Sequence, residues 1–133
     1  MPQAGDSFTV KIGASQRDWG TLRKPTNRAL IEGEGYIAIP KSYAVRYNIF
    51  NSNNQQTGLG YNEFIVSTAD GFIQNEVLLA QGSNTAGDPY AKNFSVKGNL
   101  KRIGAWFVHC GITEGSSVRV TFTSPTNVLL EMV

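Results

Sequence analysis

Residues 35–48 read GYIAIPKSYAVRYN, and in this stretch a strand pattern passes directly into a helix pattern at a proline. The run Tyr36–Ile39 is short, apolar and alternating, which predicts a strand. Pro40 suits a first helical turn, because its φ is already near the helical value and its missing N–H would be unpaired there. Farther on, Tyr43, Ala44 and Tyr47 share one stripe of a two-turn helix. The stretch therefore predicts a strand followed without a loop by a helix over 40–47, as at the capped end of a barrel.

Composition favours one mainly β domain that covers residues 1–133. The chain of 133 residues is 41% hydrophobic but only 17% charged, and it holds 14 glycines, which is typical of many strands and turns. The lone Cys110 excludes an internal disulfide and indicates a reducing compartment. The sequence has no apolar run long enough to span a membrane and no signal-peptide pattern, so we expect a cytoplasmic protein.

The remaining pattern predicts about seven strands and two short helices, in the order β, long loop, β, α, β, β, β, α, β, β. A second helix is expected over Leu100–His109 with Asn99 as its cap, and Asp70-Gly71 predicts a tight hairpin turn. One strand is the run Tyr36–Ile39 described above. The others are predicted at Phe8–Ile12, Tyr61–Ser67, Phe72–Ile73 with Val77–Ala80, Tyr90–Phe94, Ser117–Thr123 and Val128–Met132.

Charge is distributed unevenly along the chain although the net charge is only +2. Residues 11–46 hold seven basic and three acidic residues, residues 47–88 hold four acidic residues and no Lys or Arg, and residues 89–107 hold four basic residues and no acid. Two basic segments separated by an acidic one are what a polyanion-binding face with an acidic back needs. Alternatively, the charged side chains are scattered over the surface and solvated, and form no binding face.

Gly13–Glu34 is a long polar segment without a sustained hydrophobic period. Loops of this length are more often functional or disordered than structural. It interleaves Trp19 with basic and amide side chains. Arg can bond O6 and N7 of guanine, Asn can bond N6 and N7 of adenine, and Lys supplies phosphate or guanine contacts. Trp19 either contacts a ligand in this way or folds back, with Leu22, to plug one end of the core.

Several motifs, in their order and spacing, resemble the B3-type DNA-binding domain over most of the chain from Phe8 onward. They are Ile39–Ala44, the Asp70-Gly71 turn, the helix with GAWFV at 104–108, Gly115, and the strand Val118–Phe122. Plant members have Gly directly before Trp and a Gly-Asp turn ahead of the late strand, whereas Ala105 and Ser116 interrupt these patterns here. The sequence is therefore closer to the recognition domains of bacterial restriction endonucleases, such as the phospholipase-D-like type, and Pro25–Arg28 fits that branch.

The resemblance implies a seven-stranded open pseudobarrel with two short α-helices. It also implies two arms that enter the major groove of double-stranded DNA: Gln16–Arg28 (the first arm) and Gln81–Ser95 (the second arm). The residues expected to read bases are Gln16, Arg17, Trp19, Arg23, Asn27, Arg28, Gln81, Ser83, Asn84 and Asn93. The residues expected to contact phosphates are Lys24, Lys41, Lys92 and Lys97. Lys101 and Arg102 are weaker candidates, because the outer face of a helix is often simply solvated.

Catalysis by this chain is not expected. The single histidine, His109, excludes a multi-His metal site, and we expect neither a Ser-His-Asp triad nor a His-Lys nuclease motif. We therefore expect no cofactor, no metal and a monomer, with any nuclease in a fused or associated domain. Two alternatives stay open: a carbohydrate-binding module that uses Trp19, Tyr43, Tyr61 or Tyr90 as a stacking platform, and a structural subunit of a larger assembly.

Overall fold

The computed structural model describes residues 1–12, 35–82, 87–112 and 115–133. Within these ranges, seven strands and two helices follow one another in the predicted order. The strands are β1 (Ser7–Lys11), β2 (Ile37–Ala38), β3 (Glu63–Thr68), β4 (Glu76–Gln81), β5 (Asn93–Val96), β6 (Ser117–Ser124) and β7 (Asn127–Met132), and the helices are α1 (Lys41–Tyr47) and α2 (Arg102–His109). The predicted fold class, mainly β with two short helices, is confirmed.

All seven strands form one open sheet in the order β1-β6-β7-β3-β4-β5-β2. The pair β3–β7 is parallel, and every other pair is antiparallel. No pairing joins the outer strands β1 and β2 within the described ranges, which is consistent with an open pseudobarrel. The strand directions place α1 and the β4–β5 connection at one end of the sheet, called the α1 end. They place α2 and the β3–β4 connection at the other, called the α2 end.

The core is a single apolar cluster enclosed by the sheet and the two helices. Alternation along the strands buries one face, as it does for Phe64 and Val66 of β3, while Ile65 between them is only half-buried. The largest fully buried side chains are Trp106, Phe64, Phe94, Phe107, Phe122, Ile37, Ile49, Ile73, Leu78, Ile103 and Leu130. Each fully buried aliphatic or aromatic side chain of this kind contributes roughly 1.5–3 kcal/mol through the hydrophobic effect.

Helix α1 has the predicted stripe. Ala44 is buried, and Tyr43 and Tyr47 pack against the core. The ring of Tyr43 stacks on Phe8 of β1 with centroids 5.2 Å apart, and the Tyr47 hydroxyl donates to the backbone oxygen of Ser7 at 3.0 Å. The helix that follows edge strand β2 therefore packs against edge strand β1 and covers one end of the open sheet, as predicted.

Several predicted boundaries are wrong. Helix α1 begins at Lys41, and Pro40 lies before it with a ψ of 136°; residues 72–73 lie outside β4. Helix α2 begins at Arg102 with Lys101 at its N-cap, so Asn99 is not the cap; the Asn99 N–H donates to Val96 O at 3.1 Å in a tight turn through Gly98, whose φ is +74°. Strand β5 covers Asn93–Val96 instead of 90–94. Residues 90–92 belong to the β4–β5 connection, where Tyr90 forms an isolated bridge with Phe50.

The Asp70-Gly71 turn is also not the tight hairpin that was predicted, since β3 and β4 are joined by residues 69–75. The Asp70 carboxylate organises this connection. Its Oδ1 accepts from Thr68 Oγ1 at 2.6 Å and from the Phe72 N–H at 3.0 Å. Its Oδ2 accepts from the indole Nε1 of Trp106 at 3.0 Å. One carboxylate therefore fastens α2 to the β3–β4 connection.

Candidate nucleic-acid interface

The chain segments that carry the two predicted arms are rooted at opposite ends of the sheet. At the α2 end, the Ile12 N–H donates to Ser116 O at 2.8 Å and the Gly35 N–H to Leu100 O at 3.2 Å, so both ends of the segment 13–34 are fixed there. The β4–β5 connection, residues 82–92, leaves the sheet at the α1 end. The sheet does not bring the two roots together, and the paired strands β2 and β5 lie between them.

Strand β5 sets the spacing between the root of the second arm and the point at Gly35 where the first segment rejoins the sheet. It has four residues, and at about 3.3 Å per residue it spans about 13 Å. The other root of the first segment, at Ile12, lies beside β6 at the far edge of the sheet. The major groove of B-DNA is about 12 Å wide. The second root and Gly35 are thus separated by about one groove width, which suits an approach to a single major groove from both sides.

The root of the second arm holds two of the predicted base-reading residues. Gln81 ends β4 and faces Asn93, the first residue of β5, in the strand register. Gln81 is exposed, and Ser95 Oγ donates to its Oε1 at 3.0 Å. Gly82 has a φ of +94°, and a Cβ placed there would lie 3.1 Å from Asn93 Nδ2, so a larger residue would be strained and crowded. The structure therefore brings Gln81 and Asn93 together.

A buried asparagine holds the far side of the same connection. Asn51, only 3% exposed, donates from Nδ2 to the backbone oxygens of Asp88 and Tyr90, both at 3.0 Å. Its Oδ1 accepts from the Asn53 N–H at 2.7 Å. The ring of Tyr90 also stacks on Phe50 with centroids 5.6 Å apart. The loop after α1, Asn48–Gly60, thus fixes where the second arm rejoins the sheet, and we call this loop the bracket.

Replacing Asn51 with alanine is expected to lower the free energy of unfolding by about 2 kcal/mol, because three hydrogen bonds are lost. The Tyr90 oxygen loses its bond from Asn51, whereas the Asp88 oxygen keeps the one from Asn53 Nδ2 at 3.1 Å. Limited proteolysis of the variant should become faster within residues 82–92. Asn54→Ala is the matched control, since Asn54 Nδ2 bonds only within its own loop, to Gln56 O at 2.7 Å. Equal thermal melting temperatures for the two variants would contradict the bracket.

The described lysines differ in whether a carboxylate neutralises them. Lys92 is exposed and makes no ion pair with any residue of the described ranges. Lys41 Nζ lies 3.4 Å from Asp88 Oδ2, and Lys97 pairs with Glu63. Both paired lysines keep more than half of the side chain exposed. Among the phosphate candidates that the structure describes, Lys92 therefore has the least local neutralisation.

These pairs correct the expectation of an acidic back. Three of the four carboxylates of segment 47–88 pair with cations: Glu63 with Lys97, Glu76 with Arg102 at 3.0 Å, and Asp88 with Lys41. Arg102 also donates to Phe72 O at 2.9 Å and lies over the Phe72 ring, so it holds α2 to the sheet instead of facing away. Among the described residues, charge that is segregated along the sequence is interleaved in space by these three pairs.

Most of the predicted base-reading residues lie outside the described residues. These are Gln16, Arg17, Trp19, Arg23, Asn27, Arg28, Ser83 and Asn84, together with the phosphate candidate Lys24.

The side chains of His109 and Cys110 lie beside the Asp70 carboxylate at the α2 end. Cys110 Sγ donates to Asp70 Oδ2 at 3.4 Å, and His109 Nε2 lies 3.9 Å from the same oxygen. Burial, with the neighbouring Asp70, raises the pKa of the Cys110 thiol to about 11, so it stays protonated at neutral pH. No group of three or more metal-ligating side chains suited to an ion occurs in the part of the chain that the structure describes.

Sequence reasoning missed Asn51 and Asp88 as parts of this region. The loop Asn48–Gly60 is rich in Asn and Gln, and this amide content is the signal that could have pointed to a bracket, because buried amides commonly bond backbone groups in irregular segments.

Comparison with known proteins adds no relative: no protein-family model, no curated protein and no solved structure matches this chain. Within the described ranges, no helix has the length and apolar character needed to cross a membrane.

Proposed function

We propose that this chain is a B3-like module that binds double-stranded DNA sequence-specifically through two arms in the major groove. The observation that supports it most is the spacing of the arm roots. The first polar segment rejoins the sheet at Gly35, near the carboxyl end of the four-residue strand β5, and the second leaves the sheet near the amino end of β5, about one groove width away. We infer that it acts in the cytoplasm as the target-recognition domain of a restriction endonuclease.

We further propose that it binds without cutting, and that any nuclease resides in a fused or associated domain. Glu76 and Asp88, which could be imagined as a catalytic carboxylate pair, form ion pairs with Arg102 and Lys41 respectively. Purified chain incubated with duplex DNA and Mg²⁺ should leave the strands intact. Strand scission that co-purifies with the chain through successive columns would contradict this part of the proposal.

The carbohydrate-binding alternative relies on four aromatic side chains. Among the described ones, Tyr43 stacks on Phe8 and on Tyr47, and Tyr90 stacks on Phe50. A salt titration separates the two functions, because neutral sugars release no counterions, whereas DNA binding weakens by about 0.9 log units per log unit of salt for each neutralised phosphate.

Lys92→Gln is expected to weaken binding about equally for all duplex sequences and to reduce the slope of log K against log salt by about 1, since the unpaired ammonium is the phosphate candidate of the second arm. Arg119→Gln removes the same charge from β6, four strands from β5 in the sheet order, and should leave the slope nearly unchanged. Fluorescence anisotropy at several salt concentrations measures both. Equal slopes for wild type and Lys92→Gln would show that Lys92 contacts no phosphate.

A further inference from the structure

Lys41 and Lys92 are carried by backbone segments that the sheet holds together at the α1 end. The Ile39 N–H donates to the backbone oxygen of Lys92 at 2.8 Å, and Lys41 follows Ile39 by two residues as the first residue of α1. On its other side, the Lys92 N–H donates to Gln81 O at 2.8 Å. The two lysines therefore share one place in the fold, where the second arm returns to the sheet.

Asp88 belongs to the same place and is held there by several hydrogen bonds. Its carboxylate Oδ1 accepts from the Tyr90 N–H at 3.0 Å. Its backbone oxygen accepts from Asn51 Nδ2 at 3.0 Å and from Asn53 Nδ2 at 3.1 Å. Only 13% of the Asp88 side chain is exposed. The bracket and the backbone of the second arm therefore fix the position of this carboxylate.

Lys41 is the exposed member of the ion pair with Asp88. Its Nζ lies 3.4 Å from Asp88 Oδ2, its side chain is 72% exposed, and it makes no other ion pair within the described residues. A lysine ammonium group is a compact charge on a flexible four-carbon stem. Lys41 can therefore leave Asp88 by rotating its own side chain, whereas the carboxylate stays where its hydrogen bonds hold it.

We infer that Lys41 and Lys92 form one subsite for the DNA phosphate backbone, and that Asp88 occupies the Lys41 side of it in the free protein; this inference rests on the proposed DNA-binding function. A carboxylate and a phosphate both offer an ammonium group a charged oxygen acceptor. On binding DNA, Lys41 exchanges the Asp88 carboxylate for a phosphate oxygen. Lys92 has no carboxylate partner within the described ranges and needs no exchange.

Asp88 therefore lowers the affinity for DNA by competing for Lys41, and the size of this effect follows from the exposure of the pair. Exposed ion pairs are weak, so removing the competitor should tighten binding only about twofold to fivefold. The effect does not depend on the DNA sequence, because phosphate contacts carry no sequence information. It also requires Lys41, which distinguishes it from general repulsion between Asp88 and the DNA.

The test is a double-mutant cycle of Asp88→Asn and Lys41→Gln, measured by fluorescence anisotropy on one duplex of arbitrary sequence, about 20 base pairs long, at several salt concentrations. Asp88→Asn keeps an amide oxygen that can accept from the Tyr90 N–H, and it should tighten binding about twofold to fivefold. Lys41→Gln should weaken binding about fivefold at 0.1 M salt and reduce the slope of log K against log salt by about 1. In the Lys41→Gln background, Asp88→Asn should leave the affinity nearly unchanged, because Asp88 then has no lysine to compete for.

Glu131→Gln is the control for the loss of one negative charge, since Glu131 lies on β7 and pairs with Arg119. It should change the affinity by less than about twofold in either background, and thermal melting confirms that every variant is folded. Equal tightening by Asp88→Asn with and without Lys41 overturns the inference while the proposed function stands. So does an Asp88→Asn variant that binds no more tightly than wild type, or a Lys41→Gln variant with an unchanged salt slope. If wild type binds no duplex, the proposed function fails first and the inference with it.

Discussion

Replacing Arg23 and Arg28 together with glutamine is expected to weaken binding to a selected duplex by about a hundredfold to a thousandfold. Each guanidinium can make a bidentate contact to guanine, and each such contact is worth about 1–3 kcal/mol of discrimination. The loss should be largest on the selected sequence and smaller on unrelated duplexes, because base contacts carry the specificity. Binding isotherms on both kinds of duplex at one salt concentration measure the two losses.

Arg46→Gln with Arg119→Gln is the matched control. It also removes two arginine charges, from the last turn of α1 and from β6, outside both arms. We expect this control pair to weaken binding only a few-fold, and equally for all sequences, as long-range electrostatic attraction alone would. If the two double variants lose affinity equally, the first arm makes no base contacts.

Replacing Asp70 with alanine is expected to lower the free energy of unfolding by about 3 kcal/mol. The carboxylate accepts hydrogen bonds from Thr68, Phe72, Trp106 and Cys110, and the Trp106 indole is buried, so its N–H loses its acceptor. Asp70→Asn should destabilise the fold nearly as much, because the amide nitrogen that replaces one carboxylate oxygen is itself a donor and would face the donors that this oxygen accepts from. Chemical denaturation, followed by tryptophan fluorescence, measures the change.

The same carboxylate predicts the acid sensitivity of the fold. The hydrogen bond from Thr68, helped by those from Phe72, Trp106 and Cys110, holds the pKa of Asp70 well below its ordinary value of 3.8. A group whose folded-state pKa is depressed stabilises the protein above its unfolded-state pKa, and this contribution is lost as the pH falls below that value. Wild type should therefore lose stability between about pH 5 and pH 2 more steeply than Asp70→Ala.

Glu131→Gln serves as the control for both Asp70 experiments. Glu131 lines the same surface pocket as Asp70, but it pairs only with Arg119, at 4.0 Å and partly exposed. Such a pair is worth about 0–1 kcal/mol. The role assigned to Asp70 would be contradicted if Asp70→Ala were as stable as Glu131→Gln and lost stability with falling pH as steeply as wild type does.

The order of elements could be predicted from the sequence because it depends on local patterns. The alternation Val118, Val120 and Phe122 predicts a strand with one buried face, and the Tyr43, Ala44 and Tyr47 stripe predicts the buried face of a helix. Both faces are buried or packed against the core in the structure. Pro40 marks the boundary between strand and helix because its ring constrains its own backbone, independently of the rest of the fold.

The boundaries and the bracket could not be predicted, because they depend on contacts between residues distant in sequence. Asn51 bonds residues 37 and 39 positions away, and the Asp70 and Trp106 side chains meet across 36 positions. Local propensity favoured a tight turn at Asp70-Gly71, but bonds from Trp106 and Thr68 stabilise a longer connection. Likewise, the interleaved ion pairs that replace the expected acidic back follow from strand pairing and not from composition.

The most direct test of the central claim is selection of bound sequences from random duplexes at about 0.1 M salt, where weak nonspecific attraction is already partly screened. Sequence-specific binding through two arms predicts that one short motif of a few base pairs becomes enriched over successive rounds, and that its affinity falls steeply with added salt. Retention of no duplex, or retention without any enriched motif, would contradict the claim.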